Sequence, residues 1–312
     1  MKAAIVYNPR AGLARASLKV RWATLALRER GWEVVVKPTR HPDQMRELAT
    51  TSAAEGVDAI FAAGGDGTVG AVADVICGSP TILGVLPIGT ANIWAAELSL
   101  TGRMDSANQV RACVNAQLDG TVRAVDVGAG EGRKFLLWAS VGLDAHVVGR
   151  IEPRPEIGKR LGVIFFYIAG LLAALDFRGG PMTIRTESGS LSGIYLLGLA
   201  SNVRRYAGTE SVLDPESRAD DGLLEVWVME GESYLDGLAH LIRYKFGKHR
   251  SHPKVKKIRG RTVDIALMRP MPLQFDGEMA GRVTRAHFEV CPKTVRVFVP
   301  NRSGIEILSK RS

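Results

Sequence analysis

Cysteine is scarce in this sequence. The three present, Cys77, Cys113 and Cys291, stand far apart in apolar surroundings. Their spacing fits no metal site, and an odd number argues against a disulfide framework. A reduced, cytoplasmic setting is the expectation. No secretory leader is apparent, because the opening apolar run in MKAAIVYNPRAG is short and stops at an Asn-Pro turn. The apolar stretch LGVIFFYIAGLLAAL, Leu161 to Leu175, would reach about 22 Å as a helix, short of the ~30 Å hydrocarbon core. It reads as a helix packed in a core or groove, with membrane-surface contact the alternative. Internal repeats and low-complexity linkers are missing as well. So are a zinc spacing and an RNA-recognition signature, so no nucleic-acid partner is expected.

Acidic residues are missing from one region. Between Arg243 and Arg261 the chain carries nine Lys or Arg and no Asp or Glu, within a net charge of +9. Such a run is either a solvated face or a contact for an anionic surface, and a membrane ranks above nucleic acid.

The first third alternates β and α. Strands are expected at 3–7, 33–37, 58–62 and 81–86, and helices at 16–30, 42–55 and 69–77. That alternation implies a parallel sheet covered on both faces. After about residue 120, short strands dominate, interrupted by helices near 157–175 and 234–246. The fold class is therefore α/β plus β. An N-terminal parallel α/β nucleotide-binding domain, 1–122, is followed by a mostly antiparallel β-sandwich domain, 123–312. A short connection suggests that both face a common cleft.

Three glycine-containing turns follow strands of the expected sheet: Asn8-Pro9-Arg10-Ala11-Gly12, Gly64-Gly65-Asp66-Gly67-Thr68 and Gly89-Thr90-Ala91-Asn92. Backbone N–H groups in such turns can approach phosphate closely, and a following helix adds its positive end. Neither G-x-x-x-x-G-K-[ST] nor G-x-G-x-x-G is present at a first βα turn. Asp66 would repel phosphate unless a cation such as Mg²⁺ lies between them. Asp126 is a second metal candidate and reads equally well as a turn or edge-strand carboxylate. Asp276-Gly277-Glu278 places two carboxylates two residues apart. In an extended segment they share a side and could activate a hydroxyl; a plain β-turn is the alternative.

Taken in this order, the motifs resemble the diacylglycerol and sphingosine lipid kinase family over about residues 2 to 300. Asp220-Asp221-Gly222, Asn202 and Tyr206-Ala207-Gly208 fit the same pattern. The resemblance implies ATP and Mg²⁺, with the active site between the domains and a lipid alcohol as acceptor. It places the nucleotide at Asn8, Pro9, Arg10, Ala11, Gly12, Thr39, Gly64, Gly65, Asp66, Gly67, Thr68, Val69, Gly70 and Thr90. It makes Glu278 the proton acceptor with Asp276 its partner. It also implies a bracing metal at Asp221 and the carbonyls of Arg218 and Leu223, besides Asp66 and Asp126 at the catalytic ion. Peripheral attachment to the anionic inner face of a membrane is expected, and a homodimer is compatible. Two departures stand out: Ile93 replaces an aspartate of many relatives, and Gly70 and Ala71 replace Asn-Glu. A kinase for a soluble substrate such as NAD, and a nucleotide- or lipid-binding protein without turnover, are the competing readings.

Overall fold

The computed structural model describes residues 1–9, 15–41, 44–100, 102, 104–151, 172, 174–206, 212–302 and 305–309. The expected helix at 157–175 lies almost wholly outside them. The chain forms two compact units, Met1–Val125 with Lys293–Ser312, and Asp126–Pro292.

The first unit is α/β. Its strands are β1 (Lys2–Tyr7), β2 (Glu33–Pro38), β3 (Ala59–Gly64) and β4 (Ile82–Pro87). All pair in parallel, in the order β2-β1-β3-β4. Every residue of β3 and β4 is buried, as expected of strands covered on both faces. Helices α1 (Ala16–Glu29), α2 (Gln44–Ala54), α3 (Asp66–Ile76), α4 (Ile93–Glu97) and α5 (Ala107–Leu118) supply that cover. The alternation left α5 unread. The buried side chain of Gln117 on α5 pairs the edge of β4 beyond the reach of β13: its amide accepts from the Val85 N–H and donates to the Val85 carbonyl, both at 2.8 Å. The sequence reading assigns all of 123–312 to the second domain. In the structure, Lys293–Ser312 group with the first unit because Arg296 and Val297 pair in parallel with Ile82 and Leu83. Phe298 stacks on Phe61 there, with ring centroids 5.8 Å apart.

The second unit is β-rich. Along the chain it holds the end of β5 (Thr121–Gly130), then β6 (Arg133–Phe135), β7 (Trp138–Gly142), helix α6 (Leu143–Ile151) and a 3-10 turn at Ala174–Asp176. There follow β8 (Gly180–Thr186), β9 (Gly189–Ser201), β10 (Leu224–Glu230), helix α7 (Tyr234–Lys245), β11 (Val255–Gly260), β12 (Thr262–Phe275) and most of β13 (Glu278–Val299). Its strand pairs are antiparallel. The long strands β9 and β12 organise it. Each pairs with β7 toward its C-terminal end and with β8 toward its N-terminal end. Aliphatic side chains from these strands fill the core around three phenylalanines, Phe135, Phe275 and Phe288, with centroids 5.9–6.0 Å apart.

The expected basic surface run is partly built into this unit. Lys256, Lys257 and Arg259 lie on β11, which the charge had hidden from a strand reading. Lys257 bridges the buried carboxylates of Asp214 and Glu225, and Lys256 pairs with Glu230.

Candidate functional site

In the first unit, β1 pairs with β2 on one side and β3 on the other. The strand order therefore reverses at β1/β3, where ligands of open parallel sheets bind beyond the carboxyl ends. Asn8 and Pro9 follow β1, and Gly64 and Gly65 end β3 and its turn. Arg10, Ala11 and Gly12 lie outside the described residues. Thr39 follows β2 and donates its N–H to the Tyr7 carbonyl at 2.8 Å. Its side chain is buried, and its hydroxyl meets no partner among the described residues. Leaving a buried hydroxyl unpaired costs ~1–3 kcal/mol, which a ligand acceptor would recover.

The two glycine loops are locked together. Gly89 donates its N–H to the Gly64 carbonyl at 3.1 Å and to the Asn92 side-chain oxygen at 3.1 Å. The Asn92 amide returns a bond to the Gly89 carbonyl at 2.9 Å. A Cβ on Gly89 would lie 2.3 Å from the Gly65 Cα, and one on Gly64 would lie 2.1 Å from the Thr68 hydroxyl oxygen. Only glycine allows these approaches.

Asp66 answers the puzzle that the sequence raises. Helix α3 starts at Asp66, not at Val69, so the loop is the helix's own N-terminus. The Asp66 carboxylate reaches the start of α4 and accepts the Trp94 N–H at 3.1 Å, with the Ile93 and Asn92 amides contributing. Burial nevertheless pushes its pKa up, against the lowering effect of those amides. The acidic residue in the glycine loop is thus a cap that fixes one loop to the other. Ile93, Val69, Gly70 and Ala71 are buried. Among the expected contacts, Thr68 is half-buried and Thr90 exposed.

In the second unit, the remaining motifs meet through hydrogen bonds. Asp126 is buried; its carboxylate accepts the Gly222 N–H at 2.6 Å and its N–H donates to the Ala219 carbonyl at 2.6 Å. The Asn202 amide donates to the Asp126 carbonyl at 2.8 Å and to the Leu136 carbonyl at 3.1 Å. The amides of Leu136, Leu137 and Trp138 then converge on the Asp276 carboxylate at 2.8, 2.8 and 3.0 Å.

Of the two readings of Asp276-Gly277-Glu278, the structure shows the β-turn and not the extended segment. Asp276 and Gly277 have φ of 48° and 85°, and Phe275 pairs with Glu278. They are the two central residues of a tight hairpin, where Asp-Gly is favoured because both φ values are positive. Asp276 is held by three amides and anchors the turn, whereas Glu278 opens β13 as an exposed carboxylate. Gln274, which the sequence reading passed over, accepts the Gly277 N–H at 2.7 Å and donates to Ser140 and Asp144 at 2.8 and 2.9 Å. A lone glutamine between Leu273 and Phe275 is the signal the sequence offers.

Asp221 is exposed and accepts the Leu223 N–H at 3.1 Å. Desolvation raises its pKa, and neighbouring Asp220 adds to that. Among the described residues no three metal-ligating side chains cluster.

Two family profiles match the chain: the diacylglycerol kinase catalytic domain over residues 2–129, and the YegS C-terminal NAD kinase beta sandwich-like domain over 138–299. The chain belongs to the diacylglycerol kinase family. It is a lipid kinase, and its α/β and β-rich parts match that architecture. Diacylglycerol kinases of Staphylococcus aureus strains RF122 / ET3-1 and MRSA252 are each 27% identical to it over 303 residues, covering 96% of this chain and 93% of theirs. A diacylglycerol kinase of Bacillus anthracis str. Sterne shares the fold with a TM-score of 0.69 at 16% identity, over 96% of this chain and 97% of that one. A second solved structure from that organism has a TM-score of 0.76 at 18% identity, with the same coverage. No helix among the described residues is long and apolar enough to cross a membrane.

Proposed function

We propose that this kinase transfers the γ-phosphate of ATP, bound with Mg²⁺, to the hydroxyl of a lipid alcohol of the diacylglycerol type. The observation that carries the nucleotide assignment is the pair of interlocked glycine loops after β3 and β4, with a buried Thr39 hydroxyl, unpartnered among the described residues, just past β2. Thr39, Asn8 and the Gly64–Thr68 turn hold the nucleotide, and the N-terminus of α3 favours its negative charge. Loops fixed in advance spend no binding energy on becoming ordered. ATP as the Mg²⁺ complex supplies the transferable phosphoryl group. Asp66 already serves the α4 amides, so the ion would be held mainly by phosphate oxygens and water, with Asp66 the nearby carboxylate.

Glu278 takes the proton of the lipid hydroxyl as that oxygen bonds to the γ-phosphorus and the bond to the departing ADP breaks. Asp276 contributes by holding the hairpin, not by proton transfer. Asp221, with the carbonyls of Arg218 and Leu223, is an oxygen-only set suited to a hard divalent cation. A cation there would offset the like charge of neighbouring Asp220. The domain division at about residue 122 is kept within this proposal as the division of labour between nucleotide and acceptor.

The β-sandwich profile's own description names NAD kinase, so NAD is the second acceptor to test. Incubation with γ-labelled ATP, Mg²⁺ and either a total bacterial lipid extract or NAD, followed by mass spectrometry, separates the two. A labelled lipid phosphate is expected; labelled NADP with no labelled lipid would reverse the assignment.

A further inference from the structure

Helix α7 is amphipathic in an unusual sense: it buries its polar and aromatic face and displays an apolar one. His240 and Tyr244 are buried; His240 bonds the Glu230 carbonyl at 2.7 Å, and Tyr244 packs between Tyr206 and His249. On the opposite face Leu235 is 70% exposed, Ile242 50% and Phe246, at the helix end, 74%. Their spacings of seven and four residues put them within about 20° of one line along the helix. The 3-10 turn Ala174–Asp176 packs against α7, and its Leu175, with nearby Leu172, is also more than half exposed. Scattered exposed leucines need no explanation, but an aligned apolar row on a well-anchored helix does.

On the helix itself, the charges that flank this row toward its C-terminal end are basic. Arg243 and Lys245 lie roughly 80° to either side of it, and exposed Lys248 and Arg250 follow. The helix's one acid, Asp236, is taken up by the Ser233 cap and Lys254. Of the nine cations between 243 and 261, Lys254, Lys256 and Lys257 are committed to internal ion pairs. The first four, Arg243, Lys245, Lys248 and Arg250, accompany the apolar row. An apolar stripe edged by cations is the pattern of a helix lying in the plane of an anionic bilayer. Twelve residues, about 18 Å, cannot cross one.

We infer that the exposed face of α7 is the surface by which this kinase docks on anionic membranes, with Leu235, Ile242 and Phe246 entering the headgroup region. The inference deepens the lipid-kinase reading, on which it rests, by naming the surface that meets the substrate's bilayer. The test is co-sedimentation of the full chain with vesicles of phosphatidylcholine, alone or with about one-third phosphatidylglycerol. The native chain should bind only the anionic vesicles, and less as salt rises. Leu235→Ser/Ile242→Ser/Phe246→Ser should weaken binding at least about tenfold. Arg243→Gln/Lys245→Gln should weaken it and flatten the salt dependence. Unchanged circular dichroism and melting would show that the buried face still holds. Phosphorylation of a short-chain, water-soluble lipid alcohol should be unaffected in both variants. Absence of that activity in the native chain would defeat the kinase reading and leave the docking result standing. The docking inference is overturned if the native chain ignores anionic vesicles, or if the triple variant binds them normally. It is likewise overturned if the triple variant only converts a dimer to a monomer, since a second copy would then cover this face.

Discussion

At the scale of single residues, two side chains separate binding from scaffolding. Thr39 has a buried hydroxyl with no partner among the described residues. Thr39→Val removes that unpaired group at nearly constant volume. The nucleotide-free protein should become more stable, by about 1 kcal/mol, while ATP binds more weakly. Thermal melting and calorimetric titration check the two arms; weaker ATP binding with an unchanged or lower melting temperature would give Thr39 a structural role. Asp276 is the reverse case. Its carboxylate collects three backbone N–H groups, so Asp276→Ala should cost ~2–3 kcal/mol of stability, visible as a lower melting temperature. A variant that melts normally yet loses turnover would return Asp276 to the chemistry.

At the scale of elements, α7 begins with a reciprocal cap. The Ser233 hydroxyl donates to Asp236 at 2.9 Å and accepts the Asp236 N–H at 3.4 Å. The hydroxyl and the Ser233 and Glu232 amides hold the Asp236 carboxyl far below its ordinary value of 3.8. A carboxyl depressed in the folded state adds stability that is complete above the unfolded pKa and fades as pH falls toward the folded one. Asp236→Asn should therefore cost about 1 kcal/mol at pH 7, with the difference from the native chain shrinking below about pH 4. A difference independent of pH would mean that the charge contributes nothing. The turn at Asp221 offers a metal test: Mg²⁺ should raise the melting temperature, a chelator should lower it, and Asp221→Ala should abolish the difference. An equal response in that variant would place the ion elsewhere.

What the sequence discloses depends on how each element is stabilised. Strands β1 to β4 are legible because burial on both faces demands continuous apolar runs, as in AIFAAG and ILGVLP. The glycine loops are legible because close backbone approach at Gly64 and Gly89 requires that residue type. Strand β11 is not, since its lysines pair with acids brought from Asp214, Glu225 and Glu230 by the fold. Nor are the structural contacts of Asp66 and Asp276, whose partners are amides 28 and about 140 positions away. An acid whose partner is backbone leaves no second motif to find. Asn202 and Gln274 fall between these cases, as buried polar residues whose type betrays a bond but not its partner.

At the scale of the whole molecule, each unit arrives prepared. The first fixes two loops after β3 and β4 before any nucleotide binds, and the second fixes a hairpin that displays Glu278. The account requires these to serve a single phosphoryl transfer. Its most direct test is a single-turnover experiment on Glu278→Gln, with γ-labelled ATP in limiting amount and a diacylglycerol acceptor in mixed micelles. The expected result is native ATP affinity with transfer to the lipid slowed about 10²- to 10⁴-fold. Transfer at the native rate would contradict the account.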